Sequence, residues 1–187
     1  MLFLIAGLFI WIGVHCVPMR ISTRTGLIEK MGEGAYKGLF TLVSFLGLGL
    51  IIWGKANADF IEIWQPADWQ PVATKMLMFP AVLLVIAGNG PDNSFRRILG
   101  HPMILGVEIW AIAHLLANGD LASILLFGSF LLWALAAFAS ASRRKPPIGG
   151  KAKRLNNIIV IAIALVAYMG LLHGHEWFAG VRLLDHG

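Results

Sequence analysis

The chain predicts an all-α fold, a polytopic integral membrane bundle of about six transmembrane helices. Three observations carry that prediction. Hydrophobic residues make up 58% of the 187 positions and mean hydropathy is +0.75, above the roughly 45–50% apolar content of soluble domains. The apolar residues gather into six stretches that approach the roughly 17–25 residues needed by a spanning helix. The basic residues fall between those stretches in an alternating pattern. By length the chain is expected to form one domain, residues 1–187. Its single cysteine, Cys16, excludes an intramolecular disulfide and cysteine-pair metal motifs.

The first stretch, Leu2–Val17, lacks the basic leading region and the small-x-small cleavage site of a secretory signal, and is read as a retained span. The second is Tyr36–Trp53. The third, Val72–Gly88, contains Pro80, which is expected to kink it. His101-Pro102 reads as a helix start for the fourth, Pro102–Ala117, because proline suits a first turn. The turn Asn118-Gly119-Asp120 leads to the fifth, Leu121–Ser142; Gly119 suits a helix C-terminus and Asp120 an N-cap. The sixth is Asn156–Leu172. Several stretches are short, so their helices are expected to reach into the flanks.

Charge tests this division independently. If the spans alternate, one side receives Arg20, Arg24, Lys30, Lys37, Arg96, Arg97, Arg143, Arg144, Lys145, Lys151, Lys153 and Arg154, which are twelve of the fifteen basic residues. Only Lys55, Lys75 and Arg182 fall on the other side. Basic loops stay in the cytoplasm, which places both termini outside. The net charge of +5 is thus topological, not a nucleic-acid footprint. Trp53, Trp64, Trp69 and Trp177 fall on the inferred outer side, at the headgroup level where indoles settle. The long outer connection Asn57–Pro71, with Ile61, Ile63 and Trp64, is read as an interfacial anchor in preference to a lid.

Ionisable groups at membrane depth are functional-site candidates. His15 and His114 lie on different spans at depths that let them face one another across the bundle. Two imidazoles in apolar surroundings suit the axial positions of a haem; the simpler reading, a hydrogen bond from each to a neighbouring helix, stays open. Glu108 is the remaining intramembrane ionisable residue, roughly 120° from His114 around the helix. It is a candidate proton donor or polar substrate contact. His173, His175 and Glu176 cluster near the end of the sixth span, where helical geometry opposes chelation by the two histidines. Cys16 is read as an inert buried thiol.

Gly32-Glu33-x-x-Tyr36-Lys-Gly-Leu-Phe40-Thr-Leu-Val-Ser44, His101-Pro102, Trp110-Ala-Ile-Ala-His114-Leu-Leu-Ala-Asn-Gly-Asp120 and Leu126-Phe-Gly-Ser-Phe-Leu-Leu-Trp-Ala134 resemble the bacterial NnrU family. That family is associated with denitrification gene clusters and is similar to the plant zeta-carotene isomerase. The resemblance implies a membrane protein of the bacterial inner membrane that binds haem b between His15 and His114, with nitric oxide or a small hydrophobic molecule as substrate. It implies a redox, nitric-oxide-linked or cis-trans isomerase-like role. The isomerase carries an alternative cysteine ligand three residues before its second histidine, where this chain has Ala111; ligand exchange by cysteine is not carried over. Two other classes stand beside this one. Gly100-His-Pro-Met-Ile-Leu-Gly106 partly resembles a segment of isoprenylcysteine carboxyl methyltransferases, with Gly100 and Ile104 in place of arginine and tyrosine. The other alternative is a non-enzymatic accessory protein of denitrification.

Overall fold

The computed structural model describes residues 1–144, 147–181 and 183. The elements in order are α1 (Leu2–Cys16), a 3-10 turn (Val17–Met19), α2 (Ile21–Met31), α3 (Glu33–Ala56), α4 (Gln70–Asn89), α5 (Ser94–Leu99), α6 (Pro102–Ala117), α7 (Leu121–Arg144) and α8 (Arg154–Ala179). Segment Leu2–Met19 and helices α3, α4, α7 and α8 are long and apolar enough to cross a membrane; α6 is a shorter apolar helix. Every expected span is therefore a helix. The ends do reach outward: α3 starts at Glu33 and stops at Ala56, and α8 continues to Ala179. Helix α4 runs on through Pro80.

Two helices occupy connections that the sequence suggested were loops. Helix α2 gathers Ile21, Leu27, Ile28 and Met31 on one side, with Arg24 among them, and Ser22, Thr23, Gly26 and Lys30 on the other, a pattern suited to lying in a membrane interface where a long basic side chain can reach the headgroups. Helix α5 is held by Asn93, which is fully buried. Its side-chain oxygen accepts from Arg96 N at 3.0 Å, and its amide donates to the Ala87 and Pro91 carbonyls, each at 2.8 Å. Asparagine thus serves as N-cap and ties α5 to the end of α4.

The bundle is built from two antiparallel pairs. Helix α1 packs along α3, and α4 along α6. Both pairs need glycine: a Cβ on Gly7 would lie 2.6 Å from Ile51 N, and one on Gly106 would lie 2.7 Å from the Ala81 carbonyl. Small residues let backbones approach where lipid tails leave no hydrophobic force to drive association. Helix α7 joins the pairs, parallel to α1 and antiparallel to α6, as its ring contacts show. The shared core contains Leu4, Leu8, Ile51, Ala111, Ala122, Leu126, Phe127 and Phe130. Large apolar side chains such as Phe9, Phe45, Leu132 and Val166 point outward, as expected of a surface facing acyl chains.

One end of the bundle gathers the 3-10 turn, α2, α5 and the ends of α7 and α8 that carry Arg143, Arg144 and Arg154. This is the basic end. Lys145 and Arg182, both counted in the charge alternation, lie outside the described residues. At the opposite end, Trp53 and Trp69 are 61% exposed and Trp177 is 94% exposed.

Candidate site: two histidines on one aromatic layer

His15 and His114 sit in the same local arrangement. The Nδ1 atom of His15 lies 2.8 Å from the Trp11 carbonyl, and that of His114 lies 2.9 Å from the Trp110 carbonyl. A carbonyl can only accept, so Nδ1 carries the proton and the Nε2 lone pair is available in the neutral ring. Neither Nε2 has a hydrogen-bond partner among the described residues. A helical histidine reaches the backbone carbonyl four residues back on its own face, and His173 makes the same bond to the Met169 carbonyl at 2.8 Å.

The two imidazoles do not touch; they reach one aromatic layer from opposite directions. The His15 ring stacks on Trp11 at 3.6 Å and packs against Phe40 and Trp133 at 5.0 and 5.8 Å. The His114 ring stacks on Phe127 at 4.5 Å and lies 5.3 Å from Trp110. Phe130 bridges the two neighbourhoods, 4.6 Å from Trp11 and 5.5 Å from Trp110. Because α1 and α6 run oppositely, His15 is one turn toward the basic end from this layer and His114 one turn toward the other. Their contacts on α7, Trp133 and Phe127, are six positions apart, about 9 Å along the axis. Each ring leans back toward its own tryptophan, and so toward the layer.

Glu108 is half-buried on α6, and its Oε1 is buried without a hydrogen-bond partner among the described residues. Tyr36 Oη and Trp133 Nε1 are in the same position. Tyr36, Phe40 and Ser44, spaced by four, share one face of α3: Tyr36 packs on Phe40 at 6.3 Å, Phe40 reaches His15, and the Ser44 hydroxyl donates to the Phe40 carbonyl at 2.7 Å. His101 occupies the N-cap position of α6 without a side-chain capping bond and packs edge-on against Phe138 at 6.3 Å. Helix α8 continues past His175, so His173 and His175 diverge; no group of three metal-binding side chains occurs among the described residues. Cys16 is exposed, not buried. It lies about 100° around α1 from His15 and so turns away from the packed face.

The connection at the opposite end does more than anchor. Glu62 pairs with Asp120 in an antiparallel bridge. The Ile63 and Trp64 amides donate to the Gly119 carbonyl at 2.9 and 3.2 Å, and Leu121 N donates to the Ile61 carbonyl at 2.9 Å. The strap therefore covers the α6–α7 turn, while Phe60, Ile61 and Ile63 remain exposed. Gly119 is not a left-handed helix terminator; a Cβ there would overlap the Trp64 carbonyl. Asp120 is the expected cap, accepting from Ser123 N at 3.0 Å, and it also pairs with Lys55 Nζ at 2.8 Å. Burial alone would raise its carboxyl, but the hydrogen bonds from Lys55 and Ser123 outweigh burial and hold it below the usual carboxylate range.

Sequence spacing missed the Trp-x-x-x-His repeat, although Ile10-Trp11 and Ile109-Trp110 display it openly. It also missed Thr74, whose hydroxyl lies 2.8 Å from the Ala113 carbonyl and ties α4 to the helix bearing His114. Nothing in a single sequence singles that threonine out.

The NnrU protein family profile matches residues 3–183, nearly the whole chain. The chain is a member of the NnrU family. No curated protein and no solved structure matches it. In this NnrU protein the two imidazoles, each with its Nδ1 anchored, are donors of the type a haem takes, while Trp11, Phe130 and Trp110 fill the space between them.

Proposed function

We propose that this NnrU protein is an integral membrane haem b protein in which His15 and His114 would hold the haem. The observation that carries the reading is the paired Nδ1–carbonyl bond, which fixes the same tautomer and ring direction on two helices. Such outer bonds orient metal-binding histidines and make them better donors. When bound, a haem supplies one-electron chemistry and an iron position that can open to a small ligand.

The protein's own groups do the rest. Trp11, Phe127, Phe130 and Trp110 present an apolar wall that excludes water. Because Trp11, Phe130 and Trp110 form the layer between the imidazoles, joint ligation requires these rings to shift. Glu108 offers a carboxyl whose buried oxygen has no partner among the described residues, suited to exchanging a proton with a polar or developing anionic group on the substrate. The substrate class is nitric oxide or a small hydrophobic molecule, in redox, nitric-oxide-linked or isomerase-like chemistry. The basic end faces the cytoplasm of a bacterial inner membrane, which leaves both termini periplasmic.

Absorption spectra of the detergent-purified protein, oxidised and reduced, test the reading. The expected result is a bis-imidazole haem spectrum that disappears in both His15→Ala and His114→Ala. Colourless protein from cells amply supplied with haem overturns the proposal, as does a spectrum unchanged in both variants.

A further inference from the structure

A groove unrelated to the histidines opens at the basic end. Ala136, Ala139, Ser140 and Arg143 recur at helical spacing along one face of the last turns of α7, and Met19 and Ile21 form the facing wall. The groove holds about 510 Å³ and is open to the surroundings. It exists because alanine and serine leave a recess where larger residues would fill it. Its shape is fixed from the other side: the Met19 carbonyl accepts from Arg144 at 3.1 Å and from the Ser140 hydroxyl at 3.4 Å, and Arg144 also donates to Ser140. The neighbouring guanidinium of Arg143 is exposed and has no carboxylate partner among the described residues.

The lining is ordered along the membrane axis. Ala136 and Ala139 lie deeper, and Arg143 is seven positions, about 10 Å, nearer the end of the helix than Ala136. Apolar surface thus gives way to hydroxyl and then to cationic surface in the order in which a phospholipid presents acyl chain, glycerol and phosphate. Basic pockets between spanning helices recognise anionic headgroups in this way. Helix α2, which begins at the groove and has the amphipathic pattern of an interfacial helix, keeps the site at headgroup level.

We infer that this groove is a binding site for an anionic glycerophospholipid, with its phosphate on Arg143 and an acyl chain along Ala136 and Ala139. The site is independent of haem. The full chain is reconstituted into phosphatidylcholine vesicles that carry a minor fraction of spin-labelled phosphatidylglycerol, and the immobilised fraction is compared with that of spin-labelled phosphatidylcholine. Wild-type protein should favour phosphatidylglycerol, and Arg143→Gln should lower that preference about five-fold, as expected for one basic contact at a membrane surface. Ala139→Trp, which fills the recess without removing charge, should lower it to a similar extent, and Arg143→Lys should restore most of it. No preference in the wild type overturns the inference. So does a preference that survives Ala139→Trp, since charge alone would then explain it, or one abolished by inorganic phosphate, since the site would then take a free anion.

Discussion

The α1–α3 pair and the α4–α6 pair each carry a tryptophan, a histidine four residues later and a carbonyl-bound Nδ1, yet they enclose those histidines differently. His114 stacks on Phe127, which is 7% exposed, and the end of its helix is covered by the strap bonded to Gly119 and Leu121. His15 lies in the last turn of α1, one position from the exposed Cys16 and just before the 3-10 turn. Local sequence sets the tautomer of each ring, because the bond spans only four residues. Tertiary packing sets access, because what covers each ring comes from distant segments. His15 is therefore the ring with less of the fold built over its end of the helix.

The sharpest way to break this comparison is to force the pairs apart. Gly106→Leu should push α6 from α4, and Gly7→Leu should push α1 from α3, since both added side chains would meet backbone. Overpacking of this kind costs about 1–3 kcal/mol, and thermal unfolding in detergent should show both losses. If haem spans the two pairs, either variant should also weaken its retention. A variant that unfolds like the wild type would show that its pair is not closely packed.

Asp120 tests the enclosure on the His114 side. Asp120→Ala removes the N-cap of α7 and the partner of Lys55, a loss of about 1–2 kcal/mol for the cap. The pH dependence has a definite sign. The folded carboxyl titrates below its unfolded value, about 3.9. Its stabilisation is thus complete above that pH and disappears as pH falls through the lower folded value. Asp120→Asn should retain much of the cap and lose that acid limb, which unfolding midpoints at pH 7 and pH 3 will reveal. An acid limb equal to the wild type's would assign the effect to other carboxylates.

These tests also mark where the sequence stopped being legible. The six apolar stretches named six helices, because hydropathy and loop charge are summed over many residues and survive errors at the ends. The Asp120 cap was legible for the same reason that His101-Pro102 was: both are local rules of helix ends. Helix α2 was hidden because its charges resemble those of a loop, and an interfacial helix needs only one apolar side. Gly119 misled, since its role is close approach to Trp64, a residue 55 positions away in the chain. The histidines were visible as costly residues, but Phe130 as the ring between their tryptophans was not. That role depends on how α7 is set between two helix pairs, which no single stretch encodes.

Thr74→Val makes the finest distinction between the pairs. The hydroxyl lies 2.8 Å from the Ala113 carbonyl and 2.9 Å from that of Gln70, and Thr74 is only 9% exposed. Valine keeps the shape and removes the donor, so packing is unchanged while one interhelical bond is lost. Such bonds average about 0.6 kcal/mol inside membranes, a small shift in unfolding midpoint. Because Ala113 adjoins His114, the same change should disturb the His114 ring and leave His15 untouched, which separate histidine NMR signals can resolve. A shift at His15 of equal size would mean that the aromatic layer transmits movement between the two pairs, and that they act as one unit.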